Sequence, residues 1–321
     1  MSSQIEIIQL LQIHLPQYDP VLQFFAFLGQ PEFSLLIIPV IIWCINRHHG
    51  IRLLLLISIS GAICEIIKIL VHSPRPYWVS SGVQALSHYP SFGFPSGHAQ
   101  NAVVFFGFIA AWLKKRWVTG LCISTILLIG LARVYQAVHY PLDIIGGMII
   151  GVLLLILYFR CEKAIDIRIA GLSTLRQIML AFIGSGILLV CSLLALSSLG
   201  SWEVPSTWFT LAQQQSGVPI SPLIPHDTLA GAGLFFGTAA GAALFSRNPR
   251  PEQKLLVRYH ILNYVIGMII LLGFWFGVKG LIQHEQYGWV IEYGRSVLAG
   301  MWVTYGAPLL FMRGLNPFFG R

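Results

Sequence analysis

Apolar residues run through this chain in long blocks, broken by short polar stretches. The blocks reach the ~20 residues that a helix needs to cross a ~30 Å hydrocarbon core, which predicts an all-α, polytopic membrane helix bundle. About nine spans are expected, near residues 30–46, 51–71, 96–113, 117–136, 142–159, 177–198, 227–245, 259–283 and 292–312. Ahead of them, IEIIQLLQIHL mixes Ile and Leu with Gln, Glu and His at near-helical spacing, and reads either as a segment lying along the membrane surface or as a partly ordered tail. Between the sixth and seventh spans, SWEVPSTWFTLAQQQSGVPISPLIPHD carries two tryptophans and four prolines, the composition of a lid, an interfacial helix or a long loop with aromatic anchors. The small residues of GAGLFFGTAAGAALF suit close helix packing in the seventh span.

Composition agrees with the pattern. Hydrophobic residues make up 56% of 321 positions and charged residues 10%, with a mean hydropathy of +0.74, well outside the balance of a soluble domain. The net charge of +8 raises the question of nucleic acid, but the basic residues form no single stripe. Fifteen of the 20 fall in short clusters between spans: Arg47 and Arg52; Lys114, Lys115 and Arg116; Arg160, Lys163, Arg168 and Arg176; Arg247, Arg250, Lys254 and Arg258; Arg313 and Arg321. Those clusters follow spans one, three, five, seven and nine. That alternation, with an odd number of spans, predicts an N-terminus outside and a C-terminus in the cytoplasm, and it argues against a nucleic-acid partner. The five cysteines form no CxxC pair and read as small buried hydrophobes. With no Lys or Arg before residue 47, a cleavable signal peptide is not expected.

Of the five other basic residues, Lys68, Arg75 and Arg133 lie at the outer ends of spans two to five, against the local charge rule. Arg75 follows Lys68 by seven residues and precedes Pro76; PSGH, residues 95 to 98, opens span three from the same side; Arg133 is followed six residues on by His139 and ten on by Asp143. One membrane face thus collects cations, two histidines and a carboxylate. Each element has a plainer reading alone: a snorkelling Lys68, a surface pair of His139 and Asp143 at i and i+4, a loop-to-helix boundary at PSGH. Together they suit phosphate. Lys and Arg bind its oxygens, the amides near Ser96, Gly97 and His98 form a helix N-terminus, and a histidine oriented by a carboxylate is a nucleophile beside a second one able to protonate a leaving group. Glu65, inside span two, is expected to be structural. Tyr77 and Trp78 read as interfacial anchors, and His72 and His88 as solvated or substrate-adjacent.

Read in order, KxxxxxxRP from Lys68, PSGH from Pro95 and RxxxxxHxxxD from Arg133 resemble the three motifs of the type 2 phosphatidic acid phosphatase family. The resemblance covers about residues 30 to 198. It implies that His139 is the nucleophile, that Asp143 orients it and that His98 is the general acid, with Lys68, Arg75, Ser96, Gly97 and Arg133 holding the phosphate. The third motif commonly begins Ser-Arg; here Ala132 precedes Arg133. The expected activity is metal-independent and cofactor-free hydrolysis of a lipid phosphate or diphosphate through a phosphohistidine, at the extracytoplasmic face of a membrane; short termini and loops suit a bacterial inner membrane, and an endoplasmic reticulum membrane with a lumenal site would look the same. Phosphoryl transfer to another lipid uses the same residues, and a lipid transporter with a vestigial site is a further alternative. The expected organisation is an interfacial segment at 1–29, a six-helix phosphatase core at 30–198, an extracytoplasmic loop at 199–226, and three more spans with a cytoplasmic tail at 227–321.

Overall fold

The computed structural model describes residues 2–247, 257–277 and 288–312. Arg250, Lys254, Lys279, Arg313 and Arg321, the end of the eighth expected span and the C-terminal tail lie outside the described residues. Among the described residues every regular element is helical. The longer helices are α1 (Ser2–His14), α2 (Asp19–Leu28), α3 (Pro31–Val40), α4 (Arg47–Val71), a one-turn α5 (Pro76–Val79), α6 (Gly97–Leu113), α7 (Arg116–Tyr135), α8 (Pro141–Ala170), α9 (Thr174–Ser197), α10 (Ser206–Ser216), α11 (His226–Phe245), α12 (Val257–Leu272) and α13 (Gly288–Met301).

Each of the nine expected spans contains a helix, but fewer are long enough to cross alone. Among the described residues six helices have the length and apolarity, or seven if Pro16–Leu28 and Pro31–Ile45 form one broken span. The shortfall has local causes. Helix α6 stops at 17 residues because Lys114 takes a left-handed conformation (φ 53°) and α7 begins at Arg116. Helix α3 carries Pro39 and widens into a π turn at Ile41–Ile45, and α13 passes into another at Trp302–Gly306.

The chain divides into two compact units. One consists of Met1–Phe33, Ile63–Arg160 and Val190–Pro225; the other of Ser34–Ala62, Cys161–Leu189 and His226–Arg321. In the first, α6 lies against α8 through Gly147 and Gly151: a Cβ on Gly147 would collide with the Ser96 carbonyl, and one on Gly151 would stand 2.8 Å from the Gln100 carbonyl. Helix α1 buries Ile8 completely and sends Gln9 and Gln12 to the carbonyls of Gly82 and Tyr135, at 2.8 and 2.9 Å. The 199–226 segment packs over the stretch that links Arg75 to PSGH: Trp202 and Trp208 meet Phe92 and Trp78, and Gln215 donates to the Ser80 carbonyl at 2.6 Å. Tyr77 and Trp78 are fully buried in this cap, so they are core residues and not the interfacial anchors expected.

In the second unit α11 and α13 touch almost backbone to backbone, through Gly233, Gly237 and Gly241 on one side and Gly300 on the other. Gly231, on another side of α11, sets a hypothetical Cβ 2.6 Å from the Ser58 carbonyl. The small-residue run thus serves close packing.

Candidate active site

Four local structures present the site, all within the first unit. Helix α4 ends at Val71, where His72 turns left-handed (φ 39°) and Pro74 cannot continue the helix, and Pro76 opens the one-turn α5. Lys68 therefore sits in the last turn and Arg75 just beyond it. Ser96 caps α6, its Oγ accepting from the Ala99 amide at 3.4 Å. The N–H groups of Gly97 and His98, in the first turn, have no acceptor within the helix, and only Cys64 Sγ, at 3.3 Å, would meet a Cβ on Gly97. Helix α7 carries Arg133 to its last turn, and a left-handed Ala137 (φ 57°) reverses the chain into His139. Helix α8 opens on Pro141, with Asp143 in its first turn accepting from the Tyr140 amide at 2.9 Å.

These pieces converge. Arg75, Arg133 and His139 expose 1% of their surface or less, and Lys68, Ser96 and Asp143 are also buried. Asp143 Oδ2 lies 3.3 Å from His139 Nδ1, and Arg75 Nη1 lies 3.2 Å from His139 Nε2. A guanidinium only donates, so Nε2 accepts and the proton sits on Nδ1, facing the carboxylate. His139 is thereby held with its lone pair on Nε2. Burial, reinforced by Arg75, Lys68, His98 and Arg133, keeps this imidazole well below its usual pKa and hence neutral at neutral pH.

Arg75 also donates from Nε to the Ser91 carbonyl (2.7 Å), from Nη1 to the Val138 carbonyl (2.8 Å) and from Nη2 to Ser91 Oγ (3.2 Å). Lys68 Nζ donates to the same Ser91 Oγ at 2.9 Å. Arg133 reaches the Ala26 carbonyl (2.6 Å) and the Tyr89 hydroxyl (2.8 Å). Among the described residues none of these three cations forms an ion pair with a carboxylate. Their partners are neutral oxygens and, for Arg75, the His139 imidazole.

The structure brings together all eight residues singled out from the motifs, and Ser91 and Tyr89 besides. Neither belongs to a motif. The available signal was their place, within six residues of Pro95, in the segment that two converging motifs must share. His72 is packed against Trp202 at a ring separation of 4.6 Å, whereas His88 is exposed. Glu65 is buried within α4.

Comparison with known proteins agrees with this arrangement. Residues 49–166 match the PAP2 superfamily, and residues 229–315 match the transmembrane extension of PAP2 superfamily phosphatases. The chain thus carries a PAP2 superfamily domain followed by the transmembrane extension of PAP2 superfamily phosphatases. It is 28% identical over 158 residues to phosphatidylglycerophosphatase B of Bacillus subtilis, covering 45% of this chain and 75% of the relative. It is 30% identical over 157 residues to human sphingosine-1-phosphate phosphatase 2, covering 46% and 39%. Rat glucose-6-phosphatase 3 is 24% identical over 303 residues, covering 85% of this chain and 84% of its own.

Proposed function

We propose that this protein hydrolyses a lipid phosphate or diphosphate at the extracytoplasmic face of a membrane, through a phosphohistidine on His139. The observation that carries the reading is the trio of buried cations, Lys68, Arg75 and Arg133, gathered around His139 and the α6 N-terminus with no carboxylate paired to them among the described residues. A phosphate group is the anion such a site lacks. Two relatives act, by their names, on phosphorylated lipids. The alternation of basic clusters supports a site on the outer face, within reach of a headgroup whose chains remain among the helices.

In this mechanism the substrate phosphate displaces the Arg75 contact from His139 Nε2. The freed lone pair attacks phosphorus in line while Asp143 stabilises the Nδ1–H. The bond from phosphorus to the leaving oxygen breaks, and His98 gives that oxygen a proton. The cations and the amides of Gly97 and His98 stabilise the charge on the phosphoryl oxygens. Water then attacks the phosphohistidine and releases phosphate, returning a proton to His98. No step requires a metal.

The full-length similarity to a glucose-6-phosphatase favours a second reading, in which the same chemistry acts on a soluble phosphate ester. One assay separates the two: phosphate release by the detergent-purified protein, with EDTA present, from phosphatidylglycerophosphate, a sphingoid phosphate, a polyprenyl diphosphate and glucose 6-phosphate. Chelator-resistant release is expected, with lipids preferred, and His139→Ala should lose at least about a thousandfold in kcat. Full activity in that variant would overturn the mechanism. Preference for the sugar ester would overturn the lipid assignment, and release that demands an added lipid acceptor would identify a transferase.

A further inference from the structure

Tyr89 touches three of the residues assigned to phosphate chemistry and is accounted for by none of the motifs. Its hydroxyl accepts from Arg133 Nη1 at 2.8 Å and stands 3.2 Å from His98 Nε2. Its ring lies 5.0 Å beneath the Arg75 guanidinium and edge-on to the His98 imidazole, with ring centres 5.1 Å apart. Its backbone is clamped as well: the Tyr77 hydroxyl, itself fully buried, accepts from the Tyr89 N–H and donates to the Tyr89 carbonyl, both at 3.1 Å. A surface tyrosine needs none of this.

We propose that Tyr89 is a positioning residue for the leaving-group step, holding His98 so that Nδ1 delivers the proton. The inference rests on the reading of His98 as general acid. Its physical basis is the inventory of one hydroxyl. Arg133 only donates, so it occupies a lone pair of the Tyr89 oxygen and leaves the phenolic proton and the second lone pair for His98. Once Nδ1 has given up its proton, the neutral ring keeps its remaining proton on Nε2, which still donates to the second lone pair of the Tyr89 oxygen and leaves Nδ1 free to take a proton back. When His98 is protonated, Nε2–H donates to the remaining lone pair. The same contact therefore survives both protonation states, and the ring keeps one orientation while its proton is spent and regained. Because Nε2 is engaged throughout, Nδ1 is the nitrogen that faces the departing oxygen. Crowding on the other side helps: a Cβ on Gly29 would stand 3.4 Å from the His98 ring, so the imidazole sits between Gly29 and Tyr89.

The test uses leaving-group dependence, which a merely structural role would not change. A general acid matters for an alkoxide and little for a nitrophenolate, which departs without a proton. The full-length protein, Tyr89→Phe and His98→Asn are compared on an alkyl phosphate and on 4-nitrophenyl phosphate, with thermal midpoints measured alongside. Phenylalanine keeps the ring and its packing on Arg75. For Tyr89→Phe a kcat loss of roughly 10- to 100-fold is expected on the alkyl ester, with less than about threefold on the aryl ester. His98→Asn should show the same selectivity more strongly. Equal losses on both esters in Tyr89→Phe, or no loss, while His98→Asn stays selective, would overturn the role of Tyr89 alone. Absence of selectivity in His98→Asn would overturn the acid assignment and this proposal with it.

Discussion

In the unit built around α6, Lys68, Arg75 and Arg133 are held by Ser91, Val138, Ala26 and Tyr89 through neutral oxygens. In the unit built around α11 and α13, two guanidiniums meet carboxylates: Arg52 lies 3.2 Å from Glu162 and also pairs with Asp166, and Arg295 pairs with Glu292 one turn earlier on its helix, whereas Arg47 and Arg247 donate to the Thr304 carbonyl and Thr174 Oγ1. Arg295 further donates to the Trp275 carbonyl and stacks over that indole. The difference is instructive because burying a cation costs several kcal/mol unless an opposite charge and further hydrogen bonds offset it. The second unit supplies that charge from its own chain. In the first, neutral acceptors hold Lys68, Arg75 and Arg133, with no carboxylate ion-paired to them among the described residues.

The comparison can be broken most directly at Lys68, which donates to Ser91 Oγ. Lys68→Met should cut kcat/KM by roughly 100- to 1,000-fold, the scale of losing one charged group that faces the transition state. Thermal stability should hold or rise, since a buried charge is replaced by an apolar chain of similar length. A marked fall in the thermal midpoint would mean that Lys68 is structural.

The converse change is Glu292→Gln. Here the expectation is a loss of roughly 2–3 kcal/mol, discounted from the fully buried case because both partners keep some exposure. A lowered thermal midpoint with unaltered kcat in the folded fraction is the expected outcome. Selective loss of activity would show that the extension contributes to catalysis.

The smallest effect sharpens the electrostatic side. Attack needs neutral His139, so kcat/KM falls on the acid side as pH drops through the imidazole's lowered pKa, and the acid limb should lie below the usual histidine range. Lys68 contributes to that lowering, after burial and Arg75. Removing its charge lets the pKa rise, so in Lys68→Met the acid limb of kcat/KM should move to higher pH. A limb that stays put, or moves down, would contradict the assignment of His139 as the titrating group.

The extent to which the site could be read from the chain follows from the range of the forces involved. Helix termini are set by neighbours within a turn. Proline after His72, Ser96 ahead of Gly97 and proline before Asp143 were therefore legible, and with them the ends of α4, α6 and α8 and the residues they present. The number of full-length spans was less so, because hydropathy does not register the left-handed stop at Lys114 or the π turns after Val40 and Met301.

Long apolar blocks and three spaced motifs determined by themselves that this is a helical membrane protein with a phosphate-type constellation, since both depend on short-range periodicity and composition. The tertiary structure alone decided which oxygens the cations hold, that Tyr89 joins Arg133 to His98, and that Trp202 and Trp208 cover the segment between the first two motifs. Those contacts link residues from 9 to 130 positions apart, as with Tyr89 and His98 or Trp78 and Trp208. Hydrogen bonds act over about 3 Å, and nothing in a linear pattern states which distant atoms will come that close.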